Sequence, residues 1–128
     1  MITQEQIKDI KDRLATLEKV LRIAEKRIQV EEMTLQSQAS DFWNDPKKAE
    51  VFLKKVSGIK AWVSDFDAAR AAADDVDVLF ELEPEGEDID RAFSMALAKV
   101  EDLEFRNMLG AEGDNLGAVL TINSGAGG

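Results

Sequence analysis

The chain has 128 residues, 45% of them hydrophobic, a net charge of -10, and neither cysteine nor histidine. That length supports one packed core and a stub rather than two domains. The missing residue types exclude disulfides, thiolate nucleophiles, imidazole bases and the usual zinc ligands, so carboxylates alone remain for acid and base work.

Ile7, Ile10, Leu14, Leu17, Leu21, Ala24 and Ile28 recur three and four residues apart with charges between them, the pattern of a helix with one apolar seam. After Leu21 a second stripe, Ile23, Val30 and Met33, competes with Ala24 and Ile28 for a different face. The first stripe implies a continuous helix and the second a break near residues 21 to 24; the pattern leaves both open.

Asp41-Phe42-Trp43-Asn44-Asp45-Pro46 interrupts the periodicity. Asn44 or Asp45 can accept hydrogen bonds from the free N–H groups of a helix start, and Pro46 suits a first helical position, where no N–H is needed. A long helix is expected from there to about Leu82. Its seam runs Ala49, Phe52, Val56, Ile59, Val63 and Phe66, then Ala69, Ala73, Val76 and Phe80, and the one-residue shift near Phe66 implies a local change of supercoil.

Glu83-Pro84-Glu85-Gly86-Glu87-Asp88 reads as a loop whose trailing acids suit the positive end of the next helix. That helix carries Ile89, Phe93, Ala96, Val100 and Leu103 and is expected to end at Met108 or Leu109, with Gly110 just past its end. Gly113, Asp114 and Asn115 then suggest a turn before a strand, Ala118 to Ile122, and a loop, Asn123-Ser124-Gly125-Ala126-Gly127-Gly128. A strand without a partner leaves its backbone unsatisfied, so this stretch reads as the start of a further domain and the chain as a fragment.

The charge is uneven: residues 1–40 hold seven acidic and seven basic side chains, 41–82 nine and six, and 83–128 ten and three. Nucleic-acid binding requires clustered Lys and Arg, so direct binding by this segment is not expected, whereas contact with a basic protein is. No apolar run is long enough to cross a bilayer and the N-terminus lacks the order of a secretion signal, which points to the cytoplasm.

Three features invite sharper readings. Phe42-Trp43 could anchor a partner, but the pair is better read as plugging one end of the bundle and fixing the chain's entry into the long helix. Asp74, Asp75 and Asp77, with Glu81, Glu83 and Glu85, lack the ligand alternation and central glycine of a calcium loop and read as a solvated face. Gly125-Ala126-Gly127-Gly128 is a weak match to a phosphate-cradling loop, with no lysine after it.

Taken together, the linker Asp41 to Pro46, the helix end Leu103-Glu104-Phe105-Arg106-Asn107-Met108 and the strand-loop Leu120 to Gly128 resemble the N-terminal region of the bacterial peptide chain release factor 2 family, in order and in approximate spacing. The resemblance covers nearly the whole chain. The Phe-Trp-Asn-Asp-Pro linker separates this family from release factor 1. Ser124 to Gly128 also resembles the approach to the family's catalytic Gly-Gly-Gln, but the preceding Ala118 to Ile122 matches an earlier glycine-rich loop that normally continues Thr-Glu-Ala. Gly127 and Gly128 are therefore not credited with catalysis. Ser124 stands where the family more often has alanine.

The resemblance implies a parent protein that terminates translation at UGA and UAA, reading them with a Ser-Pro-Phe loop; neither that motif nor Gly-Gly-Gln is present here. It implies that this domain contacts the stalk base of the large ribosomal subunit and the GTPase that recycles the factor. The expectation is an all-α domain: an elongated antiparallel three- to four-helix bundle or coiled coil over residues 1–110. Residues 111–128 would be the truncated start of a following α+β domain, with a strand at 118–122 and the Gly-rich loop. No enzymatic activity, cofactor or metal is expected of this segment, and no partner-binding residue is singled out. The rival reading is a stand-alone coiled-coil or spectrin-like adaptor. A carboxylate-dependent enzyme has little support, because a surface charge run does not set a catalytic distance between carboxylates.

Overall fold

A computed structural model of the chain describes residues 2–116, in which four α-helices and one 3-10 turn account for all the regular structure. Helix α1 spans Gln4–Val20 and α2 Ile23–Gln36; the 3-10 turn covers Phe42–Asn44; α3 spans Pro46–Leu82 and α4 Glu87–Leu116. The all-α bundle expected from the periodicity is the fold observed. The expected strand 118–122 and the Gly-rich loop lie outside the described residues.

The helix starts follow from local chemistry. Thr3 and Gln6 form a reciprocal capping box on α1: the Gln6 N–H donates to the Thr3 hydroxyl at 3.2 Å, and the Thr3 N–H donates to Gln6 Oε1 at 2.8 Å. Asp45 caps α3 by accepting from the Lys48 N–H at 3.2 Å, with Pro46 in the first helical position. Glu87, Asp88 and Asp90 occupy the first turn of α4, where carboxylates complement the helix dipole.

The break between α1 and α2 resolves the competition between the two stripes. Arg22 adopts a left-handed conformation, φ 53°, which redirects the chain after Leu21. Ile23 and Met33 are thereby buried and Val30 half-buried, while Ala24 and Ile28 turn to solvent. The Lys26 ammonium donates to the carbonyl of Leu21, giving that helix end a partner.

α3 extends for about 55 Å at 1.5 Å per residue, and it is shared by two sub-structures. Its C-terminal part packs against α1 and α4 to form a three-helix body. A continuous core there includes Ile7, Ile10, Leu14, Phe66, Ala69, Val76, Ile89, Val100 and Leu103. Its N-terminal part pairs with α2 and the 3-10 turn and forms an arm whose buried side chains, Met33, Ala49 and Val56, lie outside that core. The ion pairs Lys11–Asp77 and Glu18–Arg70 show that α1 runs antiparallel to α3, and Arg106–Asp65 ties α4 to α3. The one-residue shift in the α3 seam falls where the partners overlap: Arg27 of α2 reaches Asp67, while Arg106 of α4 reaches back to Trp62 and Asp65.

The C-terminal end of α4 corrects the expectation at Gly110. The helix does not stop at Met108 or Leu109, and no turn forms at Gly113-Asp114-Asn115; it continues to Leu116. Glycine accepts right-handed helical dihedrals as readily as left-handed ones, at about 1 kcal/mol relative to alanine. Once a helix is nucleated and packed, adding a residue needs no new nucleus, and that cost is absorbed.

Candidate partner-binding surface

Among the described residues no three carboxylates come together in a way that could hold a metal ion. The acidic residues singled out in the sequence diverge instead: Asp77 pairs with Lys11 of α1, Asp74 borders the groove between α1 and α3, and Asp75, Glu81, Glu83 and Glu85 are exposed. That groove is lined by Lys11, Glu18, Arg70 and Asp74 around Leu14 and Ala73, a mixture of opposite charges without a convergent polar set.

Several charged side chains hold the helices together instead of facing a ligand. Arg13 grips Glu104 with two hydrogen bonds across α1 and α4, the Nε bond measuring 3.0 Å, and these bonds raise the guanidinium pKa above its ordinary value. Arg27 reaches Asp67 with bonds of 2.9 and 2.6 Å, the matching staple of the arm, and they hold the Asp67 carboxyl below its usual range. Arg106 lies 5.0 Å over the Trp62 ring, 3.0 Å from Asp65 and 3.1 Å from Asp102. Its Nε is buried and not aligned for a hydrogen bond to Asp102, so that contact is an ion pair only.

The aromatic pair divides. Phe42 packs edge-on against Phe52 of α3, centroids 5.4 Å apart, and anchors the 3-10 turn to the arm. Trp43 stands at right angles to Phe42 and is 60% exposed, so it plugs nothing. Successive residues of a 3-10 turn project about 120° apart, and the turn has only the narrow arm to pack on. The structural reading of the pair holds for Phe42 and is corrected for Trp43.

Charge is sorted along the molecule. Residues 46–60 carry five lysines and one glutamate, whereas 61–82 carry six acids and one arginine. Lys47, Lys48, Lys54 and Lys55 recur at positions one and seven apart, which at about 100° per residue places them on one face of α3. That face is opposite the buried Ala49 and Val56; Val51 in its middle is 69% exposed. At the other end of α3, Glu81, Glu83, Glu85, Glu87, Asp88 and Asp90 make an acidic cap. Arg91 is held within that cap by Asp88. The lysine spacing was present in the sequence, but a count over 41–82 averages it against the acids of the body and hides it.

The model of the PCRF domain matches residues 26–128, four-fifths of the chain. This chain belongs to the PCRF family. The matched segment takes in most of α2, the 3-10 turn, α3 and α4, so the arm and two of the three body helices are family features. Peptide chain release factor 2 of Acidothermus cellulolyticus is 37% identical to the chain over 130 residues, covering 97% of this chain and 35% of the relative. The proteins of the same name from Corynebacterium diphtheriae and Aeromonas hydrophila are 34% and 33% identical, covering 98% and 96% of the chain and 36% and 35% of themselves. The chain thus spans about a third of the length of these curated relatives. No helix among the described residues is long and apolar enough to cross a membrane.

Proposed function

We infer that this PCRF-family chain is the ribosome-contacting N-terminal helical domain of a peptide chain release factor directing termination at UGA and UAA. The observation that carries the reading is the PCRF match over residues 26–128 together with relatives named peptide chain release factor 2. α4 carries the helical domain past the expected boundary at residue 110 to Leu116, and the residues after it open the next domain. The segment works in the cytoplasm as a contact module without hydrolytic activity of its own. Peptidyl-tRNA hydrolysis belongs to the parent's Gly-Gly-Gln motif.

An elongated body ending in an acidic cap suits a basic ribosomal protein at the stalk base of the large subunit, with the recycling GTPase as a second partner. Opposite charge would accelerate encounter and set orientation, and the bundle would hold the cap at a fixed distance from whatever follows α4.

The test is co-sedimentation of the 128-residue chain with purified ribosomes. Saturable binding that full-length release factor displaces, with no release of peptide from peptidyl-tRNA, is the expected result. Failure to bind, or hydrolysis by the chain alone, would overturn the reading. In the gene, codons for Thr-Glu-Ala directly after Gly128, and for Ser-Pro-Phe and Gly-Gly-Gln further on, are expected.

A further inference from the structure

The lysine face of α3 has no role in the fold. Lys47, Lys48 and Lys55 are exposed, and none has a carboxylate within ion-pairing distance among the described residues. Lys54 touches only Glu50, at 3.4 Å, with its side chain 78% exposed. Four cations held side by side on a rigid helix repel one another, and among the described residues the exposed Lys54–Glu50 contact offsets little of that cost. Such an arrangement is stabilised when an anionic surface is brought against it.

The pattern indicates which anion. Seven residues separate Lys47 from Lys54 and Lys48 from Lys55, so the face presents two pairs of point charges about 10 Å apart along the axis. Val51 and Gly58, between and beyond them, offer no side-chain hydrogen-bonding group with which to read a base. Lysine point charges without a reading group suit a repeating phosphate backbone, contacted independently of sequence. Trp43, 60% exposed one turn before α3 at the same end of the arm, adds a flat apolar surface on which an unpaired base could stack.

We propose that the arm is an RNA-docking element: the face formed by Lys47, Lys48, Lys54 and Lys55 contacts the phosphate backbone of structured RNA. This rests on the ribosome-contacting reading for the source of that RNA. It reverses the expectation, drawn from the net charge, that the segment does not touch nucleic acid. The acidic body keeps the contact local to the arm, so the molecule would approach an RNA surface arm first and keep its cap for protein.

The test uses the 128-residue chain and its K47Q/K48Q/K54Q/K55Q variant, with a fluorescent RNA hairpin as probe and polyglutamate as the competing anion. Retained helical circular dichroism and melting temperature show that the variant still folds. The proposal expects hairpin binding at about 50 mM salt that falls with a log-log slope of about -3 to -4, the value for four phosphate contacts. The variant should bind at least tenfold more weakly, while K8Q/K19Q on the body changes nothing. No hairpin binding, equal binding by the variant, or binding of polyglutamate in preference to RNA would each overturn it. Ribosome co-sedimentation separates the two readings. Binding by the wild type that the fourfold variant retains in full sinks the lysine face and leaves the domain assignment standing. Absence of binding by the wild type sinks the assignment, and the hairpin then judges the face alone.

Discussion

The body and the arm use the same helix in opposite ways. In the body, α3 is enclosed by α1 and α4, and Phe66, Val76, Ile89, Val100 and Leu103 are at most 1% exposed. In the arm it has one partner helix, and three well-buried side chains of modest size, Met33, Ala49 and Val56, hold the pair together. A helix with two neighbours buries a wide stripe and resists local opening; a two-helix arm buries a narrow one and leaves most of its surface for other purposes. Cohesion is concentrated in the body and exposed chemistry in the arm.

That contrast can be broken most directly by truncating one large side chain in each region. Phe66→Ala should cost about 3–5 kcal/mol, as for a buried phenylalanine removed from a dense core, and should lower the midpoint of urea unfolding for the whole chain. Val56→Ala in the arm should cost much less, and hydrogen exchange should show the arm amides opening before those of the body. Equal losses from the two substitutions would mean that the arm is as tightly held as the body.

The junction between the regions comes next. Arg22 is the one non-glycine residue with positive φ among the described residues, and a β-branched side chain tolerates that conformation least. Arg22→Val should destabilise by about 1–2 kcal/mol, whereas Arg22→Gly should be tolerated or slightly stabilising. Thermal melts of both variants would show whether the bend stores strain; a harmless valine would show that it does not.

The two arginine staples allow a finer comparison. A double-mutant cycle on Arg13 and Glu104, whose side chains are 30% and 37% exposed, should yield a coupling of about 1 kcal/mol. The cycle on Arg27 and Asp67, 44% and 47% exposed, should yield about half that, because solvent screens the pair more. A larger coupling in the arm would reverse the ranking.

The smallest expected effect is one of pH. Hydrogen bonds from Arg27, opposed by slight desolvation and aided by the Arg27 and Arg70 charges, lower the Asp67 pKa below its ordinary value of 3.8. A carboxylate whose folded pKa is depressed contributes stability that is fully present above the unfolded value and lost as pH falls through the folded one. The stability difference between wild type and Asp67→Asn should therefore be constant near neutrality and shrink below about pH 3.8. A difference that persists unchanged in strong acid would show that the charge does not stabilise the arm.

Much of the fold was legible because its signals are local. Asp45 and Pro46 mark the start of α3 within one residue, since a cap and a proline act on adjacent N–H groups. The seam of Phe93, Ala96, Val100 and Leu103 places α4 on its partner, since periodicity is intrinsic to the helix. Gly110 misled for the complementary reason: glycine permits a left-handed end without requiring one. Trp43 misled because aromatic character states what a side chain gains on burial, not whether a neighbour is there to cover it. The lysine face was readable at the right window and was lost in a wider one.

The sequence by itself determined that this is a bundle of long amphipathic helices, where the interrupting linker and loop fall, and which protein family the chain resembles. Tertiary structure alone decided which of two stripes after Leu21 is buried, and that α2 and α4 overlap on α3 around Phe66. The physical reason is range. Capping, turn chemistry and helical period operate within about four residues along the chain. Burial depends instead on which helices meet, and those contacts join residues as distant as Arg13 and Glu104.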